Sequence, residues 1–254
     1  MSNLLKGVNF RLSSLEDFGN RSLAESILRA FISAPSCLRP EKYGREQPLR
    51  ALVSGQERMM DLLVPQQRTT SEGPIKVPDG LLIMEFAPRG EYLIHWKRHT
   101  APSFAGISGS IPSEMILAEP SRFGDFLALV KTLVEIANPV YGDVQNMEFH
   151  GWDTPLDLQK RLPDVPWLSI YGPPYIQFFG EEKILSAPFF KIERLRSGHF
   201  WLQSTDSIYA PVPEAIRIAI RRHFGEDSFM AHPKWRYKDG KAPEFDFSNM
   251  MPKA

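Results

Sequence analysis

The sequence predicts an α+β fold, an antiparallel sheet built from hairpins and covered by two or three helices. Three observations predict it. Apolar runs come in adjacent pairs joined by short Pro or Gly turns, several segments repeat apolar residues at helical spacing, and strand-helix-strand alternation is absent. With 22 prolines and 17 glycines in 254 residues, the elements between breakers are short.

The first helix is expected to start near Ser22, because "SLAE" sets Glu25 three residues on as a capping box, with Leu23, Ala24, Ile27, Leu28 and Phe31 on one face. Ala34-Pro35 ends it. "QERMMDLLVP" suits a shorter helix before Pro65, and "QQRTTSEGPIKVPDG" reads as an exposed connection. "GLLIMEFAP" and "EYLIHWKRH", separated by Pro88-Arg89-Gly90, form the first expected hairpin. The strongest helix is "AEPSRFGDFLALVKTLVEIANP", where Phe123, Phe126, Leu127, Val130, Leu133, Val134 and Ala137 recur on one face and Asn138-Pro139 stops the chain.

Beyond it come an expected strand, "GDVQNMEFHG", and a short helical piece, "PLDLQKRLP". "PWLSIYG" then alternates aromatic and aliphatic residues before Gly172-Pro173-Pro174 breaks it; an apolar run resumes at Tyr175, Ile176, Phe178 and Phe179, and "EEKIL" has room for one turn. "FFKIERL" and "HFWLQST", joined across Arg196-Ser197-Gly198, make the second hairpin. The closing helix, "PVPEAIRIAIRRHFG", has Pro213 near its first turn, Arg221 and Arg222 near its negative end and Gly225 as cap. Residues 1–230 read as a single α+β domain and 231–254 as an extended polar tail.

Lys plus Arg and Asp plus Glu both total 30, so no global basic field exists to hold a polyanion, and nucleic-acid binding is disfavoured. Cys37 is the sole cysteine, which excludes an internal disulfide and a multi-cysteine zinc site. No leader-like or membrane-length apolar run occurs, so a cytoplasmic location away from membranes is expected.

Candidate chemistry is sparse. Glu148, His150 and Asp153 in "MEFHGWD" offer two or three metal-capable groups, too few for a stable site, and no paired-His helix supplies the rest. The alternative enzyme reading is a hydrolase or metal-dependent enzyme using His150. His95 and His99 beside Lys97 and Arg98 suit a small anion-attracting patch or a solvated strand end. Ser108 in "GISGS" lacks the flanking pattern of a nucleophile elbow. Glu181-Glu182 and Glu226-Asp227 are like-charge pairs expected to stay in water. Catalytic residues, metal and cofactor are therefore all expected to be absent.

The aromatic stretch admits two readings. Either it is a bulky core segment with a rigid kink, or Trp167, Tyr171 and Tyr175 emerge as anchors for a protein partner, with Glu181 and Glu182 beside them, since Trp and Tyr dominate interface hot spots.

"PVYGDV", then "RLPDVPWLSIYGPPYIQFFGEEKILSAP", then "IERLRSGHFWLQSTDS" together resemble bacterial immunity proteins that neutralise polymorphic or type VI-delivered toxins, in particular the immunity protein 52 group. The carrying residues are Trp167, Gly172, Pro174 and Tyr175; Gly180, Glu182, Leu185, Ala187 and Pro188; and Ser197, Gly198, Leu202, Thr205 and Asp206. They span about residues 139 to 210, with Ser197-Gly198 standing where the family pattern has a glycine pair. The resemblance implies a cytoplasmic, non-enzymatic protein whose partner is one cognate toxin effector, and it supplies no catalytic residue.

Overall fold

The computed structural model describes residues 7–52, 56–65, 67–70, 73–76, 79–119, 121–149, 157–230 and 240–251. Two compact units divide the chain, one of Met1–Phe10 and Val140–Phe245, the other of Arg11–Pro139 and Asp246–Ala254. The fold is α+β, as expected. Among the described residues ten strands take part in antiparallel sheet, a further pair stands apart, and seven α-helices accompany them. Strand β1 (Gly7–Ser14), which sequence patterning missed, gives its first half to one unit and its second half to the other.

In the second unit, β2 (Lys42–Gly44), β3 (Arg50–Ala51), β6 (Asp79–Phe86), β7 (Gly90–Lys97) and β8 (Ala105–Pro112) lie in the order β8-β7-β6-β2-β3. The expected hairpin is β6–β7, in register from Asp79 opposite Lys97 to Phe86 opposite Gly90. Alternation decides its faces: Leu82, Met84 and Phe86 on β6 and Tyr92, Ile94 and Trp96 on β7 are buried. Helix α1 (Arg21–Ile32) packs there, with Phe31 and Tyr92 ring centroids 4.5 Å apart and the Tyr92 hydroxyl donating to the Leu38 carbonyl at 3.0 Å. Its cap is Asn20, not Ser22: the extended Asn20 backbone lets Oδ1 accept from the Ser22 and Leu23 amides at 3.0 and 3.3 Å.

Helices α2 (Gln56–Leu63), α3 (Ser113–Ala118) and α4 (Ser121–Ala137) follow. On α4, Phe126, Val130, Leu133, Val134 and Ala137 are buried, as the periodicity predicted. Asn138 ends the helix at a φ of 45°, and Ser14 Oγ donates to the freed Ala137 carbonyl at 2.6 Å. The polar stretch expected as a connection instead pairs Gln67–Thr70 (β4) with Gly73–Lys76 (β5). Backbone pairing needs no apolar face, so polarity alone misled the reading.

In the first unit the order is β11-β12-β10-β9, formed by β9 (Pro139–Asn146), β10 (Leu168–Tyr171), β11 (Lys191–Arg194) and β12 (Phe200–Gln203). The second expected hairpin is present, with Lys191 opposite Gln203 and Arg194 opposite Phe200. Every residue of β9 and β10 is buried. Pro173-Pro174 does not simply break the chain. It opens helix α5 (Pro173–Phe179), where prolines at the first helical positions lose no hydrogen bond. Gly180, at a φ of 86°, then turns α5 into α6 (Glu181–Leu185). The helical piece expected in "PLDLQKRLP" is only a turn at residues 158–160 among the described residues.

Helix α7 (Glu214–Phe224) ends at Gly225, as expected. Its Arg221 donates to Asp164 Oδ1 at 2.6 Å and to Glu214 Oε1 at 2.7 Å, and Arg217 reaches Asp164 Oδ2 at 3.2 Å. From the C-terminal segment, Lys241 pairs with Asp227 at 2.8 Å and Phe245 lies 6.0 Å from Tyr175 in the first unit. In the second unit Phe247 lies 4.9 Å from Phe104, and Met250 is buried.

Candidate partner-binding face

The sequence left Trp167, Tyr171 and Tyr175 as either core residues or anchors for a partner. All three are core. Their exposures are 4%, 1% and 0%. The strand pleat explains this. Tyr141 and Tyr171 are register partners on β9 and β10, and Tyr171 and Phe200 are partners on β10 and β12, so these rings share one face of the sheet. Helix α5 lays Tyr175 and Phe179 on that face, with Tyr171 centroids 5.7 Å from each, and α7 adds Phe224 at 4.6 Å from Phe179. The Tyr175 hydroxyl donates to the Leu158 carbonyl at 3.3 Å. Burial pushes the Tyr171 and Tyr175 phenols well above their ordinary range.

What the same segment exposes is a different set of side chains. Helix α5 turns Phe179 inward and leaves Phe178 38% exposed; α6 buries Ile184 and leaves Leu185 55% exposed; and Phe190, just before β11, is 62% exposed. Three of the six large apolar side chains exposed among the described residues thus fall within thirteen consecutive residues, 178 to 190. Such residues are normal when scattered, and their closeness in sequence makes this segment the candidate face. Helical spacing could have found Phe178 and Leu185, because each is adjacent in sequence to an inward-facing partner.

Glu181 and Glu182 lie in the first turn of α6, half-buried and exposed respectively. Glu181 accepts from Arg194 of β11 at 2.6 Å, an exposed bond that fixes α6 against the hairpin's edge strand. Lys183 donates to the Phe224 carbonyl at 3.4 Å, which holds α6 to the end of α7.

The other candidates assemble nothing comparable. His150 and Asp153 lie outside the described residues, and Glu148 is exposed. Ser108 lies within β8 opposite Leu93, not on a sharp turn. His95 covers Gly106 across the β7–β8 pair, while His99 accepts from the Ala101 amide through Nδ1 at 3.0 Å and its own amide donates to the Met250 carbonyl. Among the described residues no three His, Cys, Asp or Glu side chains gather with metal-holding geometry. No described helix is long and apolar enough to cross a membrane.

No family model matches the sequence, and no curated protein does. Among solved structures, the chain is similar to the Pseudomonas aeruginosa T6SS protein PA0821, with a TM-score of 0.56 and 15% identity over 86% of this chain and 72% of that one. The chain resembles a type VI secretion protein in fold. At that identity the likeness speaks for backbone architecture alone.

Proposed function

We propose that this chain is an immunity protein of a type VI secretion system, which acts in the cytoplasm by binding one cognate toxin effector and occluding it without catalysis. The observation that carries the reading is the exposed set of Phe178 on α5, Leu185 on α6 and Phe190 just before β11, in the same segment as Glu181 and Glu182. The fold likeness to a T6SS protein and the motif resemblance over residues 139 to 210 support it. A partner engaging this face would contribute apolar area against the three side chains and a basic rim against the two glutamates, over a standard interface of roughly 1,200 to 2,000 Å².

The test is co-expression with candidate toxin effectors encoded by the neighbouring genes. The chain should restore growth of intoxicated cells and co-elute with the toxin in size-exclusion chromatography. Unchanged killing, with no co-elution, would discard the reading.

A further inference from the structure

Among the described residues the sheet of the first unit ends at β11, which has β12 on one side and no strand on the other. Where β11 meets its turn, the Leu195 amide donates to the His199 carbonyl at 2.8 Å. Directly opposite residues of an antiparallel pair alternate between bonded and unbonded, so Leu195, Glu193 and Lys191 bond across to β12. Ile192 and Arg194 therefore turn their N–H and C=O groups outward. Lys191 and Arg194 are exposed and Ile192 and Glu193 half-buried, so this edge is open to another chain. An open edge is a template for a further strand, and proteins commonly guard it with charges that repel one. The charges here alternate in sign, which makes the edge complementary to itself.

We propose that β11 pairs antiparallel with β11 of a second copy of this chain, about a two-fold axis at Ile192. Outward backbone groups must meet outward backbone groups, so a self-paired strand of this length can centre on Lys191, Ile192 or Glu193. Centring on Lys191 sets two lysines directly opposite, and centring on Glu193 sets two glutamates opposite, both of which repel. Centring on Ile192 sets Lys191 opposite Glu193 of the second copy, Glu193 opposite its Lys191, and the two Ile192 side chains against each other. Within one chain Lys191 and Glu193 already lie on one face with Nζ and Oε2 3.5 Å apart, so the four charges close into a ring of alternating sign. Such a contact is the same patch on both chains and stops at two. The inference goes beyond the toxin reading and does not rest on it, because it is measured on the purified chain alone.

Sedimentation equilibrium of the full chain tests it. The pairing is short, so the Kd should be of order 100 µM, and loading from about 10 to about 500 µM should span the transition. The weight-average mass should rise from that of one 29.0 kDa chain toward twice that value. Lys191→Glu and Glu193→Lys each set like charges opposite one another and should stay monomeric alone. Mixed in equal amounts, the two variants are complementary at both positions and should associate with each other, which a misfolded variant would not do. Ile192→Pro removes an outward N–H without touching the β12 ladder and should also stay monomeric. A natural chain that remains monomeric at the highest loading overturns the proposal, as does association unchanged by the single charge variants or a mixture of the two that stays monomeric.

Discussion

Arg221, on the inward side of α7, donates to Asp164 at 2.6 Å while its other terminal nitrogen holds Glu214, two turns earlier on the same helix face, at 2.7 Å. The arginine side chain is 9% exposed, and its partners are 26% and 53% exposed, so the cluster lies between a surface pair and a buried one. Replacing Arg221 by Met should cost about 1–3 kcal/mol, less than a fully buried pair because the remaining carboxylates keep water. Urea denaturation would read this as a lower midpoint with an unchanged slope.

The same cluster sets an acid dependence. The Arg221 hydrogen bond, helped by both arginine charges, holds the Glu214 carboxyl below its usual range. The unfolded chain then binds the extra proton, so the contribution is complete above the unfolded value of about 4.3 and fades as pH falls through the folded one. Glu214→Gln should flatten the acid limb of stability measured between about pH 5 and 3 and leave the neutral plateau only slightly lower. An acid limb of unchanged steepness would count against this linkage.

Alkaline titration should divide the tyrosines. Burial raises the Tyr92, Tyr171 and Tyr175 phenols above their ordinary value of about 10, so their neutral forms stabilise the fold fully below that pH and progressively less above it. Phenolate absorbance near pH 11 should report fewer than the seven tyrosines of the sequence until the protein unfolds. Full ionisation before any loss of circular dichroism would contradict their placement.

Trp96 donates its indole N–H to the Leu63 carbonyl at 2.8 Å, joining β7 to the end of α2. Gly80 permits this approach, because a Cβ there would meet both the indole nitrogen and that carbonyl. Gly80→Ala should destabilise the second unit by about 1–3 kcal/mol, through displacement of a packed ring and weakening of its bond. Thermal unfolding followed by tryptophan fluorescence is the measurement.

Core and face variants should separate in the first unit. Tyr175→Ala removes a fully buried ring and should cost about 3–5 kcal/mol, whereas Leu185→Asp and Phe190→Asp change exposed positions and should shift stability by about 0.5 kcal/mol or less. Only the latter pair should abolish toxin binding in a protein that still unfolds at the original temperature. Normal binding by a stable double variant would remove this face from the interaction.

The hairpins β6–β7 and β11–β12 and the helices α4 and α7 were legible because their apolar residues repeat at one clean period between recognisable stops. Strand β8, with Gly106, Ser108, Gly109 and Ser110, carries too few apolar residues to show alternation, and its partner strand supplies the order. The aromatic segment was legible as a core segment with a kink, and what the sequence left open was which of its side chains reach the surface. Trp167, Tyr171 and Tyr175 have the composition of an interface, but composition does not tell which face of a sheet a helix will cover. Once α5 is recognised as a helix, Phe179 goes in and Phe178 goes out, and the face follows from that alternation. Glu181 was legible as an exposed charge, although its tie to Arg194 required the hairpin to bring β11 alongside.

The His99 amide bonds to the Met250 carbonyl at 3.1 Å within a unit otherwise made of Arg11–Pro139. During synthesis that unit must wait for more than a hundred residues of the other one to be translated before its final piece exists. Ribosome-bound chains halted before Asp246 should accordingly hold the earlier segment in a looser, protease-sensitive form, tightening only upon release.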